Sequence, residues 1–408
     1  MKILVLNAGS STQKSCLYDL NGETFPQDPA KPIWKADIDW TIARDYGLLK
    51  VKANGINQEI KLGGEDRRQG IAQMLDTLIQ GETKVLKNLS EIDIVGHRVV
   101  HGGTDFSQAT LITPEVKETI ARLIPLAPAH NPAHLEGIET IEKVLGNTPQ
   151  VAVFDTAFHS TIPLEAAVYP IPYEWYLKGI RRYGFHGISH QYCATRAAQI
   201  LGKPLNTLKL ISCHLGNGCS LAAIKEGISI NTTMGFTPLE GLMMGSRSGS
   251  IDPEIPLFLL RESGLTPEQV RTMLNAQSGL KGVSGVSSDL RAVIQAISEG
   301  NEQAKLAFNI YIHRLQFYIG AMLASLGGLD ALIFTAGVGE NAALVREKTC
   351  EVFQFLGLKL DQTLNQAHPV DADIAASDST VRVLVIHTEE DWAIASKCWM
   401  ISKKSARS

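Results

Sequence analysis

Three sets of residues in this sequence have the types and spacing to handle a phosphorylated substrate. The first is glycines grouped with hydroxyl and amide side chains. Asn7, Gly9, Ser10, Ser11, Thr12 and Lys14 form one such group, and Gly216, Asn217, Gly218 and Ser220 form another. Each follows a short apolar run. Glycine there lets successive backbone N–H groups converge on an anion with no Cβ in the way, and Lys14 would add counter-charge. One such loop alone reads as a plain turn, but three at strand ends point to phosphate binding. The third, Gly337-Val338-Gly339-Glu340-Asn341-Ala342, matches GxGxxA, with Asp361 near ribose-binding distance. That match keeps an NAD-dependent oxidoreductase open, although it stands late in the chain. An adenine nucleotide without nicotinamide fits equally well. The GxxxxGK[ST] pattern is absent, which disfavours a P-loop fold.

Arginines, acids and histidines make up the other two sets. Arg98 precedes His101-Gly102-Gly103, and Arg247 lies within MMGSRSGSIDP. A guanidinium among glycines and small residues can clamp a carboxylate or a transferring phosphoryl by paired hydrogen bonds. Asp155 ends an apolar run, as a metal-facing or base carboxylate would. Glu389, Glu390 and Asp391 suit Mg²⁺ held through water, or simply open a helix. Three HxxxH pairs occur: His97/His101, His130/His134 and His186/His190. Helical spacing would put each pair on one face, as zinc requires. None has Glu after the first His, and Pro132 and Gly187 interrupt two of them. Zinc is the minor reading; His130 and His186 read as loop residues at a cleft.

The elements that must position these groups follow from hydropathy. Short apolar runs at Ile3–Leu6, Ile92–Val95, Val151–Phe154, Leu208–Cys213, Leu332–Phe334 and Val381–Ile386 suit buried strands. Helix-length patterns lie between them at Arg67–Gln80, Pro132–Leu145, His190–Leu201 and Glu302–Leu326. Their alternation predicts an α/β fold. Residues 21–65 read as hairpins, with Asn54-Gly55 a tight turn. A boundary is expected after Asp155. The loops LNAGSST and HLGNGCS echo one another about 210 positions apart, hinting at a duplicated phosphate-gripping unit.

Composition narrows the classes. At 408 residues the chain has room for two or three domains. A net charge of −4 supplies no basic surface for nucleic acid or anionic lipid. The longest apolar stretch, Ile319–Phe334, contains Gly327, Gly328 and Asp330 and is too short and interrupted for a membrane span. No secretory leader is expected, and six cysteines without a CxxC pair read as reduced thiols. A cytoplasmic location follows as an expectation.

Taken in order, LVLNAGSST, GHRVVHGG, LAPAHNPAH, VAVFDTAFH, RRYGFHGISH, CHLGNG, TTMGFTPLEGLMMGSRSG, SGVSSDLR and FTAGVGEN resemble the acetate kinase family of the actin and sugar-kinase superfamily. The resemblance runs from residue 3 to about residue 395. It implies a two-domain actin-like, ribonuclease H-like duplicated α/β fold, with residues 1–155 plus 388–408 as one domain and 156–387 as the other. The site would lie in the cleft between them. It implies Mg²⁺-dependent phosphoryl transfer between ATP and acetate, giving acetyl phosphate and ADP, with Mn²⁺ as a substitute ion, in a homodimer. Arg98 matches the carboxylate-binding arginine, Asp155 the catalytic aspartate, and His186 with Arg247 the pair that stabilises the transition state. Asn7 and Glu390 match the magnesium positions. Nucleotide contacts carry over to His214, Leu215, Gly216, Asn217 and Gly218, to Asp289, Leu290 and Arg291, and to Gly337, Val338, Gly339, Glu340 and Asn341. His130 matches a histidine of the same cleft, and Val100, Phe185 and Pro238 match the surroundings of the substrate methyl group. A non-catalytic nucleotide-binding regulator is a rival that the presence of Arg98, Asp155, His186 and Arg247 disfavours.

The chain departs from the family in three places. Thr12 and Gln13 stand where Ser and Leu are usual, and the hydroxyl survives. Ser250 stands where Asp is usual, leaving the loop after Arg247 one negative charge short. Ala129 stands where Leu is usual, beside the methyl-binding positions, which predicts relaxed selectivity toward propionate.

Overall fold

The computed structural model describes residues 1–9, 12–42, 46–63 and 66–405. Ser10 and Ser11, expected in the first anion loop, lie outside the described residues. The contacts divide the chain into two compact units, Met1–Ala157 with Glu389–Ser408, and Phe158–Thr388.

The first unit is built on a sheet of β1 (Lys2–Ala8), β2 (Thr12–Asp19), β3 (Trp34–Asp39), β4 (Tyr46–Ala53), β5 (Ile56–Gly63), β6 (Ile94–Val99), β7 (Thr110–Leu111) and β8 (Gln150–Phe154). Their order is β5-β4-β3-β2-β1-β6-β8-β7. Strands β1 to β5 run antiparallel in sequence, as the hairpin reading of residues 21–65 requires. Asn54 and Gly55 both have positive φ in the β4–β5 turn. Strands β1, β6 and β8 run parallel. One face buries Leu4, Leu6, Leu17, Trp34, Ile38 and Val51 with Ile71, Met74 and Leu75 of the helix Arg67–Asp76. The C-terminal helix Glu390–Ser405 packs on β1 and β6 and buries Trp392, Ile394 and Cys398.

The second unit has a sheet of β9 (Lys209–Leu215), β10 (Cys219–Lys225), β11 (Ile228–Thr232), β12 (Ala331–Thr335), β13 (Ala372–Asp373) and β14 (Arg382–Val385), ordered β11-β10-β9-β12-β14-β13. The helix Gly187–Leu201 covers one face through Cys193, Ala194 and Ala197. The 25-residue helix Glu302–Leu326 packs against β9, β10 and β11.

Both sheets contain the same five-strand core. β3-β2-β1-β6-β8 and β11-β10-β9-β12-β14 each run antiparallel across their first three strands and parallel across their last three. This is the duplicated ribonuclease H-like arrangement. The two echoing loops occupy the same place in it, joining the first and second strands of each core. Among the described residues no helix is long and apolar enough to cross a membrane.

Gly96 decides how closely the C-terminal helix approaches β6. A Cβ there would lie 2.6 Å from both Cys398 Sγ and Ile394 Cγ2. Gly96→Ala is therefore expected to cost about 1–3 kcal/mol through overpacking. An unchanged midpoint in urea unfolding would show that the helix can move aside freely.

Candidate active site

In the first unit the parallel strands lay Asn7, Arg98 and Asp155 side by side. Asn7 is on β1, Arg98 is next to last on β6, and Asp155 directly follows β8. Asp155 Oδ1 accepts from Arg98 Nε at 3.0 Å, and Oδ2 accepts from Nη2 at 2.6 Å. This two-point pairing fixes the plane of the guanidinium and leaves its Nη1 edge for Asn7 Oδ1, 3.4 Å away. Burial alone would lower the guanidinium pKa. The charge of Asp155, with Glu390 and Asp391, reverses this and holds Arg98 above its ordinary value. Burial pushes the Asp155 carboxyl up from the ordinary carboxylate range, Arg98 pulls it back, and Glu390 adds to the rise.

Glu390 and Asp391 open the C-terminal helix, where acids meet its positive N-terminal end. Asn7 Nδ2 donates to Asp391 Oδ1 at 2.9 Å and to Glu390 Oε2 at 3.3 Å. Burial raises Asp391, and Glu390 contributes to the rise. The Asn7 amide and the Asp155, Glu390 and Asp391 carboxylates are hard oxygen groups of the type Mg²⁺ takes, with Asn7 Oδ1 and both Asp155 oxygens already engaged by Arg98. Among the described residues no three His, Cys, Asp or Glu side chains form a direct cage.

His134 braces this corner, a role the HxxxH spacing did not reveal. Its Nδ1 accepts from Val100 N at 3.3 Å, so the neutral ring carries its proton on Nε2 and donates to Ala8 O at 3.0 Å. Val100 is buried and His130, at the start of the helix Asn131–Leu145, is half-buried, its ring centroid 6.4 Å from that of His134. Ala129 is exposed, and so is Lys14.

In the second unit His186 and Arg247 meet at Gly218. A Cβ on Gly218 would stand 3.4 Å from Arg247 Nη1 and 3.5 Å from His186 Cε1. His186 adopts φ 57° and starts the helix Gly187–Leu201. A non-glycine residue in that conformation is strained, and such strain is common where a side chain must be aimed. Its Nδ1 lies 2.9 Å from Ser220 Oγ, and its ring stacks on His214 at 4.1 Å between centroids. Arg247 Nη1 donates to Pro238 O at 3.4 Å, and among the described residues no carboxylate acts on Arg247. Burial lowers its pKa from the ordinary value. Phe185 is buried and Pro238 half-buried.

The two glycine segments expected to hold the nucleotide adjoin. β9 and β12 are parallel neighbours with Thr335 opposite His214, so Gly216–Gly218 and Gly337–Asn341 leave the same end of the sheet. A Cβ on Gly216 would be 3.8 Å from that of Ala336. Ala336 itself has φ 64°. Asn217 and Gly337 are exposed, and Glu340 accepts from Thr388 N and meets His387 Nδ1 at 2.6 Å. Leu215, at the end of β9, and Leu290 are buried. Asp289 caps the helix Leu290–Ser298 and holds the guanidinium of Arg291, whose side chain is 91% exposed.

Two alternatives fail on geometry. Asp361, read as a ribose ligand, caps the helix Gln362–Gln366 by accepting from Leu364 N at 3.0 Å. The GxGxxA segment forms only the six-residue helix Ala336–Asn341. The HxxxH pairs do not assemble zinc sites: His97 bonds Gln150 on a strand, and both nitrogens of His190 meet serine hydroxyls, Ser212 and Ser220.

Two duplicated α/β sheets with glycine loops at their strand ends, and arginines and a histidine beside them, are the frame of a phosphoryl-transfer enzyme. The chain belongs to the acetokinase family, whose model matches residues 2–396. It is 76% identical to an acetate kinase of Gloeothece citriformis over 399 residues, 98% of each chain. It is 65% identical to one of Synechocystis over 401 residues, covering 98% of this chain and 97% of that one. Among solved structures it resembles Porphyromonas gingivalis acetate kinase at 41% identity and TM-score 0.90, covering 98% and 99% of the two chains. It also resembles a propionate kinase from Francisella tularensis at 38% identity and TM-score 0.89, with the same coverage.

The buried histidines around the first unit's site give it a pH signature. Burial lowers His97 and His101 to about 4 and His134 to about 3, the last with help from Arg98. Unfolded chains bind these protons more readily, so the stability they carry is full above pH 6.5 and is lost as pH falls toward 4. Each group adds about 1.4 kcal/mol per pH unit inside that window. Urea midpoints at pH 7.5, 6 and 5 are expected to fall more steeply in His134-containing protein than in His134→Asn. Parallel curves would overturn the assignment.

Proposed function

We propose that this chain transfers the γ-phosphoryl group of ATP to acetate, reversibly and directly, giving acetyl phosphate and ADP. The observation that carries the reading is the 76% identity to an acetate kinase along 98% of the chain. The resemblance also supports a cytoplasmic homodimer.

Acetate is already ionised at neutral pH, so its oxygen attacks the γ-phosphorus without a general base. The bond from phosphorus to the bridging β,γ-oxygen breaks as the new P–O bond forms, and ADP leaves with that electron pair. The transferring group is loose and anionic, so the protein's task is positioning and positive charge. Arg98 holds the carboxylate of acetate, in a plane set by Asp155. His186 and Arg247 meet the equatorial oxygens of the phosphoryl group, while Gly216–Gly218, Asp289–Arg291 and Gly337–Asn341 hold the nucleotide. Asn7, Asp155 and Glu390 would hold Mg²⁺, which when bound neutralises charge on the nucleotide phosphates.

Hydroxamate assay with acetate and ATP tests the activity, and absence of product from folded protein would refute it. Asp155→Asn is expected to lower kcat by about 10²-fold with only a modest change in acetate KM. A kcat near wild type would remove Asp155 from the mechanism. Ala129 is read as enlarging the space for the substrate's methyl group. Ala129→Leu is therefore expected to lower the propionate-to-acetate kcat/KM ratio by an amount worth about 1–3 kcal/mol per methylene. An unchanged ratio would show that neighbouring side chains refill the space.

A further inference from the structure

The second unit contains a three-residue polar cluster that the proposed chemistry does not use. Arg182, Tyr169 and Glu240 are far apart in sequence and meet beside the segments that carry His186 and Pro238. Arg182 Nη2 donates to Glu240 Oε1 at 2.6 Å. Its Nη1 reaches three successive carbonyls, of Thr232, Thr233 and Met234, at 3.2, 3.1 and 3.0 Å. Its Nε donates to Ala166 O at 3.3 Å, and its guanidinium lies over the Tyr169 ring. The Tyr169 hydroxyl donates to Glu240 Oε2 and accepts from Phe236 N at 2.8 Å.

Gly235 completes the arrangement. Its carbonyl accepts from Tyr183 N at 3.1 Å and from Gly184 N at 3.3 Å. A Cβ there would land on the Glu240 carboxylate and the Tyr169 hydroxyl. The segment 182–186, ending at His186, is thus tied to the segment 232–241, whose Pro238 carbonyl accepts from Arg247 Nη1. His159 Nε2 secures the first segment again through Phe185 O, at 3.0 Å.

We propose that Glu240, with Tyr169 and Arg182, is a positioning residue that sets the spacing between His186 and Arg247. The inference deepens the proposed function and rests on it, because spacing matters only if both groups act on one phosphoryl. A loose, charge-dispersed transition state rewards cations held at fixed positions, and a displacement of about 1 Å can cost about 10²-fold in rate. Glu240 is suited to this because one carboxylate oxygen meets each partner. The guanidinium compensates its charge, and among the described residues the cluster's side-chain hydrogen bonds go to residues 166, 232–234 and 236 and to one another.

The test uses Tyr169→Phe, Glu240→Ala and Glu240→Gln in the full chain, with acetate and ATP. Glu240→Ala is expected to lower kcat by about 10²-fold and Tyr169→Phe by about 10-fold, with ATP KM within about twofold of wild type. Glu240→Gln, which keeps the length and one acceptor oxygen, is expected to recover most of the loss. A cluster that serves folding alone would lower Tm and leave kcat per folded enzyme untouched. Values of kcat within about twofold of wild type in Glu240→Ala and Tyr169→Phe, on protein shown folded by circular dichroism, overturn the proposal. If Glu240→Ala does not fold, Tyr169→Phe decides alone, since it removes one hydrogen-bonding oxygen. Inactive wild-type protein refutes the proposed function and the brace with it, whereas active wild type with unaffected variants refutes only the brace.

Discussion

The pairing of Arg98 with Asp155 is the interaction on which the first unit's site depends. A guanidinium at this depth is costly unless a partner compensates it, and a carboxylate is costlier still. Two contacts between the same two side chains satisfy both and fix the orientation of each. The pairing exists because β6 and β8 are adjacent and parallel, with Val99 opposite Phe154, so that both strands end at one level. β1 on the other side of β6 supplies Asn7, and the helix that begins with Glu390 closes over the same strand. Gly96 permits that closure by leaving room for Ile394 and Cys398.

The second sheet repeats the frame and fills it differently. Where the first core places Asn7, Arg98 and Asp155 at strand ends, the second places glycine turns and backbone around His214 and Thr335. Charged side chains suit a small carboxylate that offers only two oxygens. Exposed backbone suits a nucleotide, whose phosphates can accept from many N–H groups and whose size needs open loops. The strained φ values of His186 and Ala336 fall at the borders of these loops, where ordinary geometry would aim the chain elsewhere.

Much of this was legible in the sequence, for identifiable reasons. Short apolar runs gave the six principal strands, although β6 begins at Ile94, two residues late, because Leu89–Glu91 is a single tight turn. Asn54-Gly55 announced its hairpin because both residue types tolerate the positive φ that the turn requires. Strand-end loops were readable because glycine clusters have a local cause. Partners set by the fold were not readable. Glu240 looks like any loop acid, and its partner Arg182 is 58 residues away. His134 looked like half of a metal pair, yet its two nitrogens meet Val100 N and Ala8 O, 34 and 126 residues distant. Asp361 matched a spacing rule, but it caps the helix Gln362–Gln366, whose Leu364 N–H, three residues on, claims its carboxylate. The local patterns at His134 and Asp361 pointed to the wrong chemistry, and Glu240 carried no pattern at all, because in each case the partner is set by the fold.

The contrast between the two arginines follows from the tasks proposed for them. Arg98 would bind acetate throughout the reaction, so its orientation matters more than its unshielded charge, and Asp155 can share it. Arg247 would meet charge that concentrates on the phosphoryl group during transfer. A carboxylate beside it would offset that attraction, and among the described residues none acts on it. Its half-buried charge is costly in the empty enzyme and compensated when the phosphoryl arrives, which favours rate over ground-state affinity. Ser250 fits the same logic. Its hydroxyl accepts from Gly241 N at 3.0 Å and from Tyr318 OH at 2.7 Å, which closes the Arg247 loop without a charge.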